Sequence, residues 1–326
     1  MAGPTDIRGV DSVDSVVSAL AAQDYLADEG LATAVFLALR LRRPLLLEGE
    51  AGVGKTEVAK ALATWSGGEL IRLQCYEGLD ASQAVYEWDY SRQLLHLRAV
   101  EAAGVASGTE VSEITDELYA ERFLVRRPLL RSLSSVDGLP PVLLIDEVDR
   151  ADDEFEAFLL EVLTEHAVTI PELGEVRATT PPVVVLTSNR TREVHDALKR
   201  RCLYHWVDYP NAERELDIVA RKAPEANKRL SEEIVGFVQK LRQMELFKVP
   251  GVAETIDWAT ALTELDKIAL EHAPVVVVLQ VLVREVDAQL LEAVAVEVLE
   301  AETEAVDALV AGLAVRGAGP LLEEVT

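Results

Sequence analysis

The sequence predicts an α/β protein in which a parallel sheet is flanked by helices and an all-helical domain follows. Three observations predict it. Five short apolar runs, Pro44–Leu47, Leu70–Leu73, Val142–Ile145, Val183–Leu186 and Tyr204–Val207, lack the polar alternation of half-exposed strands and suit strands buried on both faces. Helical segments separate these runs, as the crossover between parallel strands requires. After Tyr209-Pro210 the strand-like runs stop, and apolar residues recur only at helical spacing. A chain of 326 residues is long enough for two domains with a sizeable core.

Residues 1–43 form a helical lead-in, with helices expected over Ser12–Leu20 and Leu31–Leu41. The first strand then opens at Pro44 and runs into Gly49-Glu50-Ala51-Gly52-Val53-Gly54-Lys55-Thr56, a complete G-x-x-x-x-G-K-[ST] pattern. The residues after it, Glu57 to Ala63, are good helix formers, and Val58, Leu62 and Trp65 share one face. Strand, glycine loop and helix is the context in which this pattern binds phosphate. The glycines let backbone N–H groups point at phosphate oxygens, and the helix adds the positive end of its dipole. Lys55 is expected to reach the β- and γ-phosphates, and the Thr56 hydroxyl to hold Mg²⁺. A nucleoside triphosphate is therefore the expected ligand.

The third run, Val142–Ile145, ends in the adjacent carboxylates Asp146 and Glu147. In phosphate-loop enzymes an acid at this strand end helps hold the metal, which assigns Asp146 to Mg²⁺. Its neighbour Glu147 is placed to orient and deprotonate the attacking water. Asp149, Asp152, Asp153 and Glu154 follow, and acids at this density also suit a helix start. The next helix buries a stripe of Phe155, Phe158, Leu159, Val162 and Leu163. The fourth run leads through Thr187 and Ser188 to Asn189, whose amide suits either the γ-phosphate or the attacking water. A turn-forming asparagine is the other reading those residues leave open.

The helical region carries Leu216, Val219 and Ala220 on one helix and Ile234, Phe237, Val238 and Leu241 on the next. Pro250-Gly251 breaks the chain before a helix over Thr255–Leu265, and a helical tail, acidic on one side, is expected over Val286–Val310. With the boundary near Asn211, the chain divides into a lead-in (1–43), an α/β core (44–210) and a helical domain (211–326).

Taken together, these motifs resemble the AAA+ ATPases, and within them the MoxR group, over about residues 20–265. The resemblance rests on Gly49–Thr56 as Walker A and on Leu143–Arg150 (Leu-Leu-Ile-Asp-Glu-Val-Asp-Arg) as Walker B. It also rests on Phe158–Leu163, on Ser188-Asn189-Arg190 at the sensor 1 position, and on Thr191–Cys202, which is similar to the segment ending in the arginine finger. Arg72–Leu79 and Tyr86–Tyr90 are similar to the MoxR-type ATPases that accompany carbon monoxide dehydrogenase maturation.

The resemblance implies a homo-hexameric ring that hydrolyses ATP with Mg²⁺ at subunit boundaries. Arg201 would be the finger, with Arg200 as the close rival. It also implies a von Willebrand factor A-domain adaptor and a metalloenzyme client. More chain lies between Leu79 and Arg131 than a crossover helix needs, and the resemblance places there an insert after the second helix. Tyr86–Tyr90 and Leu94–Leu97 would be the two arms of its hairpin. A second hairpin before sensor 1 would span Val168–Arg177. One departure stands out: Gly251–Trp258 has no arginine where the family usually carries its sensor 2 arginine.

Charge narrows the partners. Lysine and arginine number 31 against 57 aspartates and glutamates, for a net −26, which repels nucleic acid and anionic membranes. Arg40, Arg42 and Arg43 nevertheless cluster just before the first strand. The longest apolar stretch, Ala273–Val283, is too short to span a bilayer, and no secretion signal opens the sequence. Cys75 and Cys202 match no metal spacing and read as free thiols in a reducing cytoplasm. The histidines His96, His166, His195, His205 and His272 show no ligand spacing either. The leading expectation is an ATP-driven remodelling chaperone. The alternatives are a motor subunit of a nucleic-acid machine, and a nucleotide-gated scaffold with little turnover.

Overall fold

A computed structural model describes residues 7, 9–102, 117–134, 138–243 and 249–264. The chain divides into two compact units: Met1–Glu50 with Lys55–Val207, and Ala51–Gly54 with Asp208–Thr326.

The first unit begins with α1 (Val13–Ala21), opened by a reciprocal cap in which Ser15 N donates to Ser12 Oγ at 3.1 Å. In α2 (Glu29–Leu41) the Asp28 carboxylate accepts from Leu31 N at 2.6 Å. Strand β1 (Leu45–Glu48) leads to α3 (Lys55–Ser66), and β2 (Leu70–Gln74) follows. The insert comprises α4 (Ala81–Val85), β3 (Tyr86–Trp88), α5 (Tyr90–Ala102), β4 (Leu124–Arg126) and α6 (Pro128–Ser132). Then come β5 (Val142–Asp146), α7 (Asp153–Glu165), the pair β6 (Ala167–Ile170) and β7 (Gly174–Arg177), β8 (Val183–Ser188), α8 (Asp196–Arg201) and β9 (Leu203–Trp206).

The five expected strands form one sheet in the order β2-β5-β8-β1-β9, and every neighbouring pair is parallel. Leu45, Leu46 and Leu47 on β1 and Val142 to Ile145 on β5 are fully buried, as unalternated runs require. Each buried leucine of this kind contributes about 1.5–3 kcal/mol. The order matters for chemistry because β8 lies between β1 and β5. The carboxyl ends of these strands, which carry the glycine loop, Asp146-Glu147 and Asn189, therefore sit side by side.

The insert departs from expectation. Tyr86–Trp88 does form a strand arm, but its antiparallel partner is Leu124–Arg126, and Leu94–Leu97 lies within helix α5. The segment is built from Leu, Gln, Arg and Ala with few β-branched residues, which favours helix. The Asp89 carboxylate adds a cap by accepting from Arg92 N at 3.0 Å. Trp88 is buried and meets Tyr119 edge-on at 5.2 Å, whereas Tyr90, Leu94 and Leu95 are exposed. The second hairpin forms as expected, with Val168 opposite Val176 across β6 and β7.

The second unit holds α9 (Ala212–Lys222), α10 (Lys228–Leu241) and α11 (Val252–Glu264), with Asn211 and Asn227 capping the first two. Its centre is polar. The buried Glu215 carboxylate accepts from Arg242 (2.6 and 2.7 Å), Thr255 Oγ1 (2.7 Å) and Gln239 Nε2 (2.7 Å). With every lone pair direction occupied, this buried charge is well compensated. Leu265, His272, the apolar stretch Ala273–Val283 and the expected tail helix Val286–Val310 lie outside the described residues. Among the described residues no helix is long and apolar enough to cross a membrane.

Candidate active site

The glycine loop has the backbone its pattern demands. Gly52 and Gly54 have φ of 77° and 93°, a region other residues enter only at a cost. Within the second unit, Val252 N donates to Gly52 O at 3.0 Å, and a Cβ at Gly251 would come within 2.7 Å of Gly52 Cα. Lys55 opens α3 and is buried, and its Nζ donates to Gly49 O (2.7 Å) and Glu50 O (2.6 Å). Burial holds its pKa below the ordinary lysine value, opposed by the carboxylates of Asp149, Glu50, Asp146 and Glu147. A phosphate group can replace those two carbonyls as the partner of the ammonium.

Thr56 and Asp146 meet within the first unit. Thr56 Oγ1 donates to Asp146 Oδ1 at 3.2 Å, and Thr187 Oγ1 donates to the same oxygen. The other oxygen accepts from Arg72 Nε on β2 at 3.0 Å. A half-buried hydroxyl beside a buried carboxylate is the small oxygen donor set that suits Mg²⁺, which keeps several waters and takes few protein ligands. Among the described residues no group of three or more His, Cys, Asp or Glu side chains could hold a metal. A magnesium ion that shares its coordination with phosphate and water fits Thr56 and Asp146; a site built from protein ligands alone is not present there.

Glu147 follows β5 in a left-handed conformation (φ 55°). Such a conformation costs on the order of 1–3 kcal/mol for a non-glycine residue and is concentrated at functional sites. Its carboxylate is held from three sides, by Gln74 Nε2 (3.0 Å), Arg150 Nε (2.9 Å) and, more distantly, Asn189 Nδ2 (3.5 Å). Its backbone N–H donates to Thr187 Oγ1 at 3.0 Å. Asp149 fixes the loop that presents Asn189. The buried Asp149 carboxylate accepts from Asn189 N (3.3 Å), Thr191 N (2.9 Å) and Thr191 Oγ1 (2.7 Å).

Within the first unit, one hydrogen bond thus joins Thr56 to Asp146 and another joins Asn189 to Glu147, and the carboxylates of Asp146 and Glu147 act on Lys55 through their charge. Arg200 and Arg201 are not part of this group. Both are exposed on the last turn of α8, and no contact among the described residues joins either to that group. Arg201 Nε donates to Thr164 Oγ1 on α7 at 3.0 Å, whereas the Arg200 side chain makes no hydrogen bond or ion pair among the described residues.

Gln74, Arg72, Thr187, Asp149 and Arg150 are site residues that the sequence reading passed over. Their signal was faint but present. Gln74 and Thr187 are polar residues near the carboxyl ends of their strands, and Asp149 stands among acids that also suit a helix start. Asp152 does serve that helix, accepting from Phe155 N at 2.8 Å; Asp149 does not.

Residues 44–202 match the AAA domain of the dynein-related subfamily. An uncharacterised protein of Staphylococcus saprophyticus is 23% identical over 237 residues, which is 71% of this chain and 80% of that one. An uncharacterised protein of Staphylococcus haemolyticus is 22% identical over 224 residues, covering 67% and 75%. Among solved structures, a putative ATPase from Cytophaga hutchinsonii aligns with a TM-score of 0.44 at 15% identity, over 80% of this chain and 82% of the other. The Thermotoga maritima RuvB Holliday junction branch migration motor aligns with a TM-score of 0.44 at 16% identity, over 93% and 84%. The α/β core has the AAA+ P-loop NTPase fold, a nucleotide-binding fold of the ATPase class.

Proposed function

We propose that this chain hydrolyses ATP at the boundaries between subunits of a homo-hexameric ring, and that the resulting change of ring geometry remodels a client protein. The observation that carries the catalytic part is the state of Glu147. Its carboxylate is held by Gln74, Arg150 and Asn189 beside the Thr56–Asp146 pair. A chain that only bound nucleotide would have no use for a strained, oriented carboxylate next to its metal ligands.

The roles follow from the geometry. The backbone of Gly49–Thr56 would bind the phosphates, and Lys55 would exchange its two loop carbonyls for β- and γ-phosphate oxygens. Thr56 and Asp146 would hold Mg²⁺, which when bound neutralises charge on those oxygens. Glu147 would orient the attacking water and take its proton, while Asn189 would fix the water or the γ-phosphate from the other side. An arginine of α8, Arg201 or Arg200, would reach the site of the adjacent subunit and stabilise charge developing there. The Arg200 guanidinium, which makes no hydrogen bond or ion pair among the described residues, supports it as the finger, whereas the sequence pattern supports Arg201, which would first leave Thr164.

The client side of the proposal rests on the MoxR-like phrases Arg72–Leu79 and Tyr86–Tyr90. It calls for a metalloenzyme client presented by a von Willebrand factor A-domain protein, in the cytoplasm, with neither nucleic acid nor membrane as a main partner. The net charge of −26 supports that last point.

Phosphate release from Mg²⁺-ATP, measured over a range of protein concentrations together with sedimentation, tests the proposal. Activity per chain should rise as the ring assembles. Hydrolysis that is independent of assembly would remove the shared site, and ATP binding without turnover would favour a nucleotide-gated scaffold.

A further inference from the structure

Arg43 occupies the turn between α2 and β1, and its guanidinium reaches across to the end of α8. Nη2 donates to Arg200 O at 2.7 Å and to Cys202 O at 3.2 Å, and Nε donates to Arg201 O at 3.1 Å. The last carbonyls of a helix have no partner within it, so one side chain here supplies what the helix lacks. The placement is notable for its charge. The last turn of α8 already carries Lys199, Arg200 and Arg201, and their repulsion of a fourth cation has to be outweighed by the carbonyl oxygens that it binds. All three contacts are to carbonyl oxygens, so geometry rather than net charge accounts for an arginine at this position. Lysine, with one compact ammonium, could not span the same three carbonyls.

The opposite end of α8 is also fixed. The buried Glu156 carboxylate on α7 accepts from His195 N, the cap of α8, at 2.7 Å and pairs with Arg192. The helix is therefore pinned at both ends, while the side chains of Arg200 and Arg201 stay exposed. Arg43 is also bound to the phosphate loop through the chain itself. Pro44 O accepts from Leu203 N at 2.8 Å, and β1 runs from Leu45 to Glu48 directly into Gly49.

We propose that Arg43 is a positioning residue for the arginine finger: it fixes the backbone of Arg200 and Arg201 relative to β1, so that the finger given to the neighbouring subunit is registered to this subunit's own phosphate loop. The inference rests on the reading of α8 as the finger helix. Arg43 touches no substrate; it acts through the backbone it holds, and misplacement of a catalytic group by about 1 Å costs on the order of 10²-fold in rate.

The test is a mixing experiment with ATP binding and turnover measured separately. Arg43→Ala should bind a fluorescent ATP analogue as the wild type does, keep its KM, and lose about 10- to 100-fold in kcat. Arg43→Lys should fall between the two. Because the damaged finger serves the neighbour, rings mixed from Arg43→Ala and Lys55→Ala chains should exceed the activity of either chain alone. The Arg43→Ala loop is sound, and the Lys55→Ala neighbour offers it a sound finger. A residue that merely supported its own fold or its own loop would show no such gain. The control mixes Lys55→Ala with chains lacking both Arg200 and Arg201. If the control gains activity and the Arg43→Ala mixture does not, the inference is overturned while the shared site stands. If the control gains nothing, the shared site and this inference fall together. Should Arg43→Ala fail to assemble, Arg43→Lys carries the same mixing test with the same outcomes.

Discussion

The Thr56 hydroxyl donates to Asp146 Oδ1 at 3.2 Å, joining two residues ninety positions apart in the chain. The contact links the start of α3 to the end of β5 within the first unit. It also explains why Asp146 can be a buried carboxylate. Thr56, Thr187 and Arg72 together satisfy both of its oxygens.

Replacing Lys55 with alanine should abolish nucleotide binding. Its ammonium is buried and in contact with Gly49 O and Glu50 O. Titration with a fluorescent ATP analogue checks this, and wild-type affinity in the variant would move the binding site elsewhere.

Glu147→Gln should bind ATP and lose turnover by at least ~10²-fold, the scale of removing a general base. The substitution keeps the size of the side chain and its contacts with Gln74 and Asn189 within reach. Unchanged turnover at saturating ATP would transfer the role of base to another group. The same variant should hold the ring in its ATP state.

For the finger, Arg201→Ala and Arg200→Ala should separate. Whichever residue enters the neighbouring site should lose on the order of 10³-fold in turnover while keeping ATP affinity. The other should lose little, since an exposed arginine or its bond to Thr164 contributes only modestly to the fold. Single-turnover hydrolysis by assembled rings distinguishes them, and near-wild-type rates in both variants would exclude a finger on α8.

The buried thiols offer a pH test. Burial pushes Cys202 up to about 12 from 9.0, against a smaller opposing effect of Arg43. Native protein at pH 8 should therefore resist thiol reagents at Cys202 and react only on unfolding. The sign for stability follows from the raised value. The folded state holds this proton more tightly than the unfolded chain, so the contribution is complete below pH 9 and is lost as pH rises towards 12. Cys202→Ala should flatten part of the alkaline loss of stability measured by urea unfolding. Rapid labelling of the native thiol at pH 8 would mean that the α8–β9 junction opens freely.

Much of the fold could be read along the chain because its signals are local. Leu45–Leu47 and Val142–Ile145 are apolar without alternation, and only a strand covered on both faces has a use for that. The Gly52 and Gly54 conformations are likewise a local demand, since a loop that wraps phosphate needs backbone that other residues resist. The insert was harder. Leu94–Leu97 has no strong local period, and the true partner of Tyr86–Trp88 lies beyond α5, at Leu124–Arg126. Strand pairing across a long excursion leaves no mark in either strand's own sequence.

By itself the sequence determined which groups are on offer: the Gly49–Thr56 glycine loop, the adjacent carboxylates Asp146 and Glu147, Asn189 after an apolar strand, and the paired arginines Arg200 and Arg201. Only the tertiary structure decided which polar residues aim them. Gln74 reaches Glu147, Asp149 fastens the loop of Asn189, and Arg43 closes the end of α8. The reason is physical. A motif is a run of neighbours along one backbone, whereas an orienting hydrogen bond joins the ends of different strands and helices. Its two partners are brought within 3 Å or so only when the sheet order β2-β5-β8-β1-β9 is complete.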